Sequence, residues 1–94
     1  MRFPIEVFKV KDRSMEPAIS DGDYVVVSAF SGIKVGDIVV LLHPKGDFPI
    51  VKRVAKLTGD YIEVRGDNPA LSKDSREFGR VRRSSLIGKV LLKI

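Results

Sequence analysis

The 94-residue sequence contains no cysteine, no tryptophan and a single histidine. Without cysteine there is neither a disulfide nor a thiol nucleophile. With His43 alone beside that absence, no ligand set exists for a zinc or iron site, so no metal and no cofactor is expected. The same shortage removes the usual partners that activate a nucleophile, because His43 is the one imidazole in the chain and stands at a strand end before Pro44. Long apolar runs are also missing. The longest, Ile38 to Leu42, falls far short of the ~20 residues a membrane span needs. The first ten residues, MRFPIEVFKV, alternate in polarity and include Glu6 and Lys9, unlike the continuous apolar core of a signal peptide. No membrane span and a cytoplasmic location are therefore expected.

What is present describes one folded domain over residues 1–94. Hydrophobic residues make up 44% of the chain and charged residues 31%, which is the balance of a globular protein rather than a disordered one. Seventeen basic against twelve acidic side chains give a net charge of +5. Arg80, Arg82 and Arg83 cluster, with Lys73 and Arg76 shortly before them. No aromatic interleaving or helical reader accompanies the cluster, so it reads as solvated surface and no nucleic-acid partner is expected.

Turn residues punctuate the chain every eight to twelve positions, the rhythm of an all-β domain. Strands are expected over residues 3–10, 24–29, 38–43, 49–57, 61–65 and 86–94, with 38–43 and 49–57 joined as a hairpin through Pro44-Lys45-Gly46-Asp47. A single helical turn fits after Ser14, since Pro17 suits a first turn and Ser14 can cap it. Residues 66–80 form a polar loop long enough to imply function rather than mere connection.

Two residues stand out chemically. A serine hydroxyl is a poor nucleophile until its proton is removed, and a desolvated lysine can remove it. Ser14 lies in Arg13-Ser14-Met15-Glu16-Pro17, and Lys52 in Ile50-Val51-Lys52-Arg53-Val54. Strand alternation puts Ile50, Lys52 and Val54 on one face, so Lys52 shares it with two β-branched residues and its charged form is penalised. Spacing and polarity alone leave two bland alternatives open: an exposed strand lysine and a helix-capping serine.

Four short motifs then resemble, in order, those of the signal peptidase I and repressor-autoprotease clan, which uses a Ser-Lys dyad. Ser14-Met15-Glu16-Pro17 with Gly22-Asp23 is similar to its nucleophile box, and Gly36-Asp37-Ile38-Val39-Val40 to its second box. Val51-Lys52-Arg53-Val54 with Gly59-Asp60 resembles the general-base box. Gly66-Asp67-Asn68, Ser72, Asp74-Ser75-Arg76 and Gly79 resemble the final box of the bacterial type I enzymes. The length and the closing segment look most like the soluble maturation proteases of nickel-type superoxide dismutase.

The resemblance implies a coiled, barrel-like β fold and a serine endopeptidase that removes a short N-terminal leader from a precursor bound in extended form. Ser14 would attack, Lys52 would act as general base, and Ser72 would orient the lysine. The Ser14 N–H would be one oxyanion donor, and Met15 and Pro17 would shape the floor. Two ion pairs, Asp67 with Arg53 and Asp74 with Arg76, would hold the loop, which includes Asn68, against the base strand. Asp12 departs from the pattern: bacterial signal peptidases carry there a serine that completes the oxyanion hole, so either the second donor lies elsewhere or Asp12 points away. Nickel would belong to the substrate. The competing expectations are a self-cleaving or dimerising repressor-type module, and a catalytically silent peptide-binding β domain. Only thirteen residues precede Ser14 in this sequence, too few for a helix-turn-helix domain.

Overall fold

The structure, a computed structural model, describes residues 4–29 and 31–94. Seven strands form one antiparallel sheet: β1 Ile5–Lys9, β2 Tyr24–Ser28, β3 Ile38–Leu42, β4 Pro49–Thr58, β5 Tyr61–Arg65, β6 Val81–Arg82 and β7 Leu86–Lys93. Their order is β1-β2-β7-β3-β4-β5-β6. The fold is all-β, as the turn rhythm implies. Position 3 of the first expected strand lies outside the described residues. The β3–β4 hairpin forms with Val39 opposite Lys52 and Leu42 opposite Pro49. The two-residue β6, too short for alternation to reveal, pairs Val81 with Ile62 of β5.

Val39 and Val40 are both fully buried although successive strand residues face opposite ways. Val40 and Val51 pack on one side with Val10, Met15, Ile19, Val25 and Val27. Val39, Ile50 and Val54 pack on the other with Leu41, Ile62, Val64 and Val81. The β3–β4 hairpin is thus covered on both faces, which explains why Ile38 to Leu42 is an unbroken apolar run. Register shifts in the pairs β2–β7, β3–β7 and β4–β5 bend the ribbon. Such irregularities increase local twist and coil the sheet toward a barrel. At Gly88 in β7 a Cβ would overlap the Ser28 carbonyl and lie 2.7 Å from Val27 Cγ1, so only glycine lets β7 approach β2 this closely.

The segment between β1 and β2 is pinned at its base, where Val10 N–H donates to Asp23 O (2.8 Å) and Gly22 N–H to Val10 O (2.7 Å). Residues 14–18 form turns closed by one helix-type bond, Ile19 N–H to Met15 O at 3.0 Å. The short helix α1, Ser75–Phe78, lies instead in the polar loop, where Asp74 caps it by accepting from Arg76 N–H and Gly79, at φ 81°, ends it. A residue able to cap its own loop turn wins there because the flanking Asp and Gly supply both helix signals.

Candidate active site

Ser14 enters the interior because its neighbour Met15 is a core residue: Met15 is fully buried and Ser14 is 1% exposed. Pro17, three residues after Ser14, is exposed, whereas Met15 packs in the core. Lys52 is 3% exposed and sits on the β4 face that carries Ile50 and Val54, opposite Val39. A lysine at that depth is unusual and requires a reason. Burial lowers its pKa below the ordinary 10.5; the negative charges of Asp12 and Asp74 oppose the shift and the positive charge of Arg76 assists it. The net direction is downward.

The loop supplies the lysine's partner. Lys52 Nζ donates to Ser72 Oγ at 3.1 Å, and Ser72 Oγ donates to Asp74 Oδ2 at 2.9 Å. Asp74, 1% exposed, also accepts from Gly66 N–H (2.9 Å), Arg76 N–H (3.0 Å), Arg76 Nε (2.9 Å) and Arg76 Nη2 (2.7 Å). Burial would raise the Asp74 pKa, but the bonds from Arg76, Gly66 and Ser72 outweigh it and hold the carboxyl well below the usual range. Ser72 therefore faces a fixed anion on one side and the lysine on the other.

The loop is fastened both to β4 beside Lys52 and to the Ser14 segment. Arg53, next to Lys52, reaches Asp67 in a two-pronged pair (2.8 and 2.7 Å) and the Gly36 carbonyl at 2.7 Å. Asn68 N–H donates to Ser14 O at 2.8 Å, and its amide to Arg13 O at 3.4 Å. A Cβ on Gly66 would overlap Ser72 Oγ and Cβ and come within 2.7 Å of Ser14 O, so the loop and the Ser14 segment are in direct contact there. The expected ion pairs divide in role. Arg53–Asp67 does bridge β4 to the loop, whereas Asp74–Arg76 spans only two residues and leaves the tethering to Gly66 N–H and Ser72.

Ser14 does not donate to Lys52. Its hydroxyl donates to Asp12 Oδ1 at 2.8 Å, and its backbone N–H donates to the same oxygen at 3.0 Å. Asp12 thus turns toward the serine, so of the two expected alternatives, a second donor elsewhere or a carboxylate that points away, the latter does not hold, and the carboxylate occupies the N–H expected to meet an oxyanion. Position along the chain carries no signal of this rotamer. His43 is accounted for structurally: its ring stacks on Phe48 (4.8 Å) and meets Phe78 edge-on (5.1 Å), while Nδ1 accepts from Lys45 N–H (3.0 Å). In the basic cluster, Arg80 and Arg82 lie 3.9 and 5.6 Å from the Tyr61 ring, a neighbouring-strand aromatic that linear sequence does not reveal.

A coiled antiparallel sheet enclosing a serine, a lysine and a second hydroxyl in one polar centre defines a β domain of the signal peptidase I type. The chain belongs to that family: the sequence profile described as "Signal peptidase, peptidase S26" matches residues 1–68, which include Ser14 and Lys52 and stop short of Ser72. A protein named signal peptidase I from Buchnera aphidicola subsp. Schizaphis graminum is 38% identical over 77 residues, covering 65% of this chain and 25% of its own length. Signal peptidase IB of Staphylococcus aureus strain Mu50 is 33% identical over 70 residues, covering 70% of this chain and 36% of its own. The chain therefore spans between a quarter and somewhat over a third of these relatives. Among the described residues no helix is long and apolar enough to cross a membrane.

Proposed function

We propose that the chain is a single peptidase domain, a serine endopeptidase that removes a short N-terminal leader from a precursor protein, with Ser14 as nucleophile, Lys52 as general base and Ser72 holding the lysine. The observation that carries this reading is the burial of Lys52 beside Ser72, which lowers the pKa of its amine below the ordinary value. Neutral Lys52 takes the Ser14 proton as Oγ bonds to the scissile carbonyl carbon. The resulting ammonium protonates the departing amine, leaving an acyl-enzyme. Water then attacks the ester, with Lys52 again accepting the proton and Ser14 leaving protonated.

A groove of about 400 Å³ supports an extended substrate. Residues 8–12 line one side and residues 48–51 the other. β4 pairs with β5 only from Arg53 onward, so Pro49–Lys52 are joined to β3 alone and offer their outer backbone edge to a peptide. A strand added there runs toward Lys52, and its side chains alternate between groove and solvent. A nickel superoxide dismutase precursor in the cytoplasm is the substrate this reading names, and the nickel belongs to that precursor.

The test is cleavage of a leader-bearing precursor by the purified chain. Ser14→Ala and Lys52→Ala should each lower kcat/KM by at least ~10³-fold, as loss of a nucleophile or its base does in serine peptidases. Cleavage by Lys52→Ala at the wild-type rate would end the Ser-Lys reading. The rate should rise with pH as Lys52 loses its proton, with the midpoint below that of an ordinary lysine.

A further inference from the structure

Among the described residues, the Asp12 carboxylate is the hydrogen-bond partner of the Ser14 hydroxyl. Oδ1 accepts the Ser14 hydroxyl proton at 2.8 Å and the Ser14 N–H at 3.0 Å. A serine hydroxyl has one proton and a carboxylate only accepts, so in this arrangement the proton that Lys52 must take is directed elsewhere. Lys52 is correspondingly engaged with Ser72. Asp12 is exposed and lines the groove, whereas Ser14, bonded to it, is buried and is not part of the groove's lining. An extended peptide in that groove meets Asp12 before it meets the serine. Its carbonyl oxygen and the carboxylate compete for the single Ser14 N–H, and the partial negative charge on that carbonyl, which grows to a full charge on attack, is repelled by the carboxylate.

We propose that Asp12 is a latch on the nucleophile: its carboxylate holds the hydroxyl and N–H of Ser14 in the resting enzyme, and a bound peptide frees both by displacing it toward solvent. The proposal rests on the Ser14–Lys52 reading above and adds a positioning residue to it. Three charged groups act on Lys52, namely Asp12, Asp74 and Arg76, and Ser72 bonds to it. Of these, Asp74 and Arg76 are bound to each other within the loop, and Asp12 alone lines the groove. Its negative charge favours the ammonium form of Lys52. Displacement therefore frees the nucleophile and removes a charge that keeps the base protonated, which couples both events to substrate entry.

A bland role would give some of the same contacts. A carboxylate two residues before an N–H often closes a local turn, and asparagine closes the same turn without the charge. The two roles separate on Asp12→Asn and Asp12→Ala. A turn-former is replaced by Asn and lost in Ala; a charged latch is weakened in Asn and removed in Ala. The experiment measures, on the full chain, the Lys52 side-chain titration by NMR with labelled lysine, assigned by its loss in Lys52→Ala. It also measures the pH profile of kcat/KM on a leader peptide. We expect both variants to titrate Lys52 at lower pH than wild type, to move the acid limb the same way, and to raise kcat/KM near neutral pH by about tenfold in Ala. An unchanged Lys52 midpoint in both variants overturns the latch, as does a slower Ala variant beside an unchanged Asn variant. The titration needs no substrate. If wild type and Ser14→Ala prove equally inactive, the peptidase reading fails while the Lys52 midpoint still decides whether Asp12 acts on the base.

Discussion

Lys52 and Asp74 lie one serine apart, and their environments push them in opposite directions. Burial disfavours the lysine's charge, while donors from three residues secure the carboxylate's. For Lys52 this has a consequence for stability. Between its lowered folded pKa and the 10.5 of the ordinary group, the unfolded chain binds a proton that the folded chain does not, so folding strengthens as pH rises through that window. Below the window the full cost of burying an ammonium remains. Lys52→Met should therefore raise the Tm at about pH 6, and the gain should shrink toward about pH 10. Thermal melts of the two proteins across that range check it, and a gain independent of pH would contradict a buried, titrating lysine. At this scale the apolar face shared by Lys52, Ile50 and Val54 was legible in the sequence, because strand alternation is a linear property. The orientation of Asp12 was not readable. It depends on which acceptor wins a short-range competition for the Ser14 donors, and that is a matter of rotamers.

The element that assembles the centre is the polar loop of residues 66–80. It carries Ser72 to Lys52, caps its own short helix with Asp74, and fastens itself to the Ser14 segment through Asn68 and Gly66. Its anchor is Asp74, whose removal strands Gly66 N–H in a buried position and frees Ser72 to turn. Asp74→Ala should cost about 3 kcal/mol at neutral pH, within the range for losing charge-assisted buried bonds, part of it recovered by hydration of the half-exposed Arg76. Because the folded pKa of Asp74 is depressed, its contribution is present above the ordinary 3.8 and drains away as pH falls below it. Urea titrations at neutral pH and near pH 3 should show the gap between wild type and variant narrowing, and a constant gap would deny the carboxylate this role. Gly66→Ala tests the loop's closeness to the nucleophile. The added methyl must push Ser72 or the Ser14 carbonyl away, so kcat/KM should fall by at least ~10²-fold, as an ångström-scale misplacement does. A near-normal rate would mean that Ser72 does not act on the lysine. The loop's length and composition flagged it as functional. Its internal wiring, with Asp74 binding Gly66 rather than bridging to β4, follows from a fold in three dimensions that linear spacing cannot give.

At the scale of the whole molecule, the sheet's coiling sets the geometry of the site. The β3–β4 hairpin has apolar cores on both faces, and this double covering is what makes a lysine on β4 dry. The all-β class and the hairpin were legible from turn residues and the apolar run. The strand order, with β7 inserted between β2 and β3, was not, since it joins segments distant in sequence through bulged registers. The family relatives are longer proteins, of which this chain spans between a quarter and somewhat over a third, and the family profile matches the portion of the chain that holds Ser14 and Lys52. That portion contains Ser14, Lys52 and the groove edge, while Ser72 comes from the segment beyond the matched profile. The central claim is that Ser14 is a nucleophile activated by Lys52. Its most direct test is intact-mass and peptide mapping after exposure of the full chain to a serine-directed acylating agent, followed over time. One acyl group on Ser14 is expected, absent in Ser14→Ala and formed at least ~10²-fold more slowly in Lys52→Ala. Acylation at another residue, or a Lys52→Ala protein that labels as fast as wild type, would contradict it.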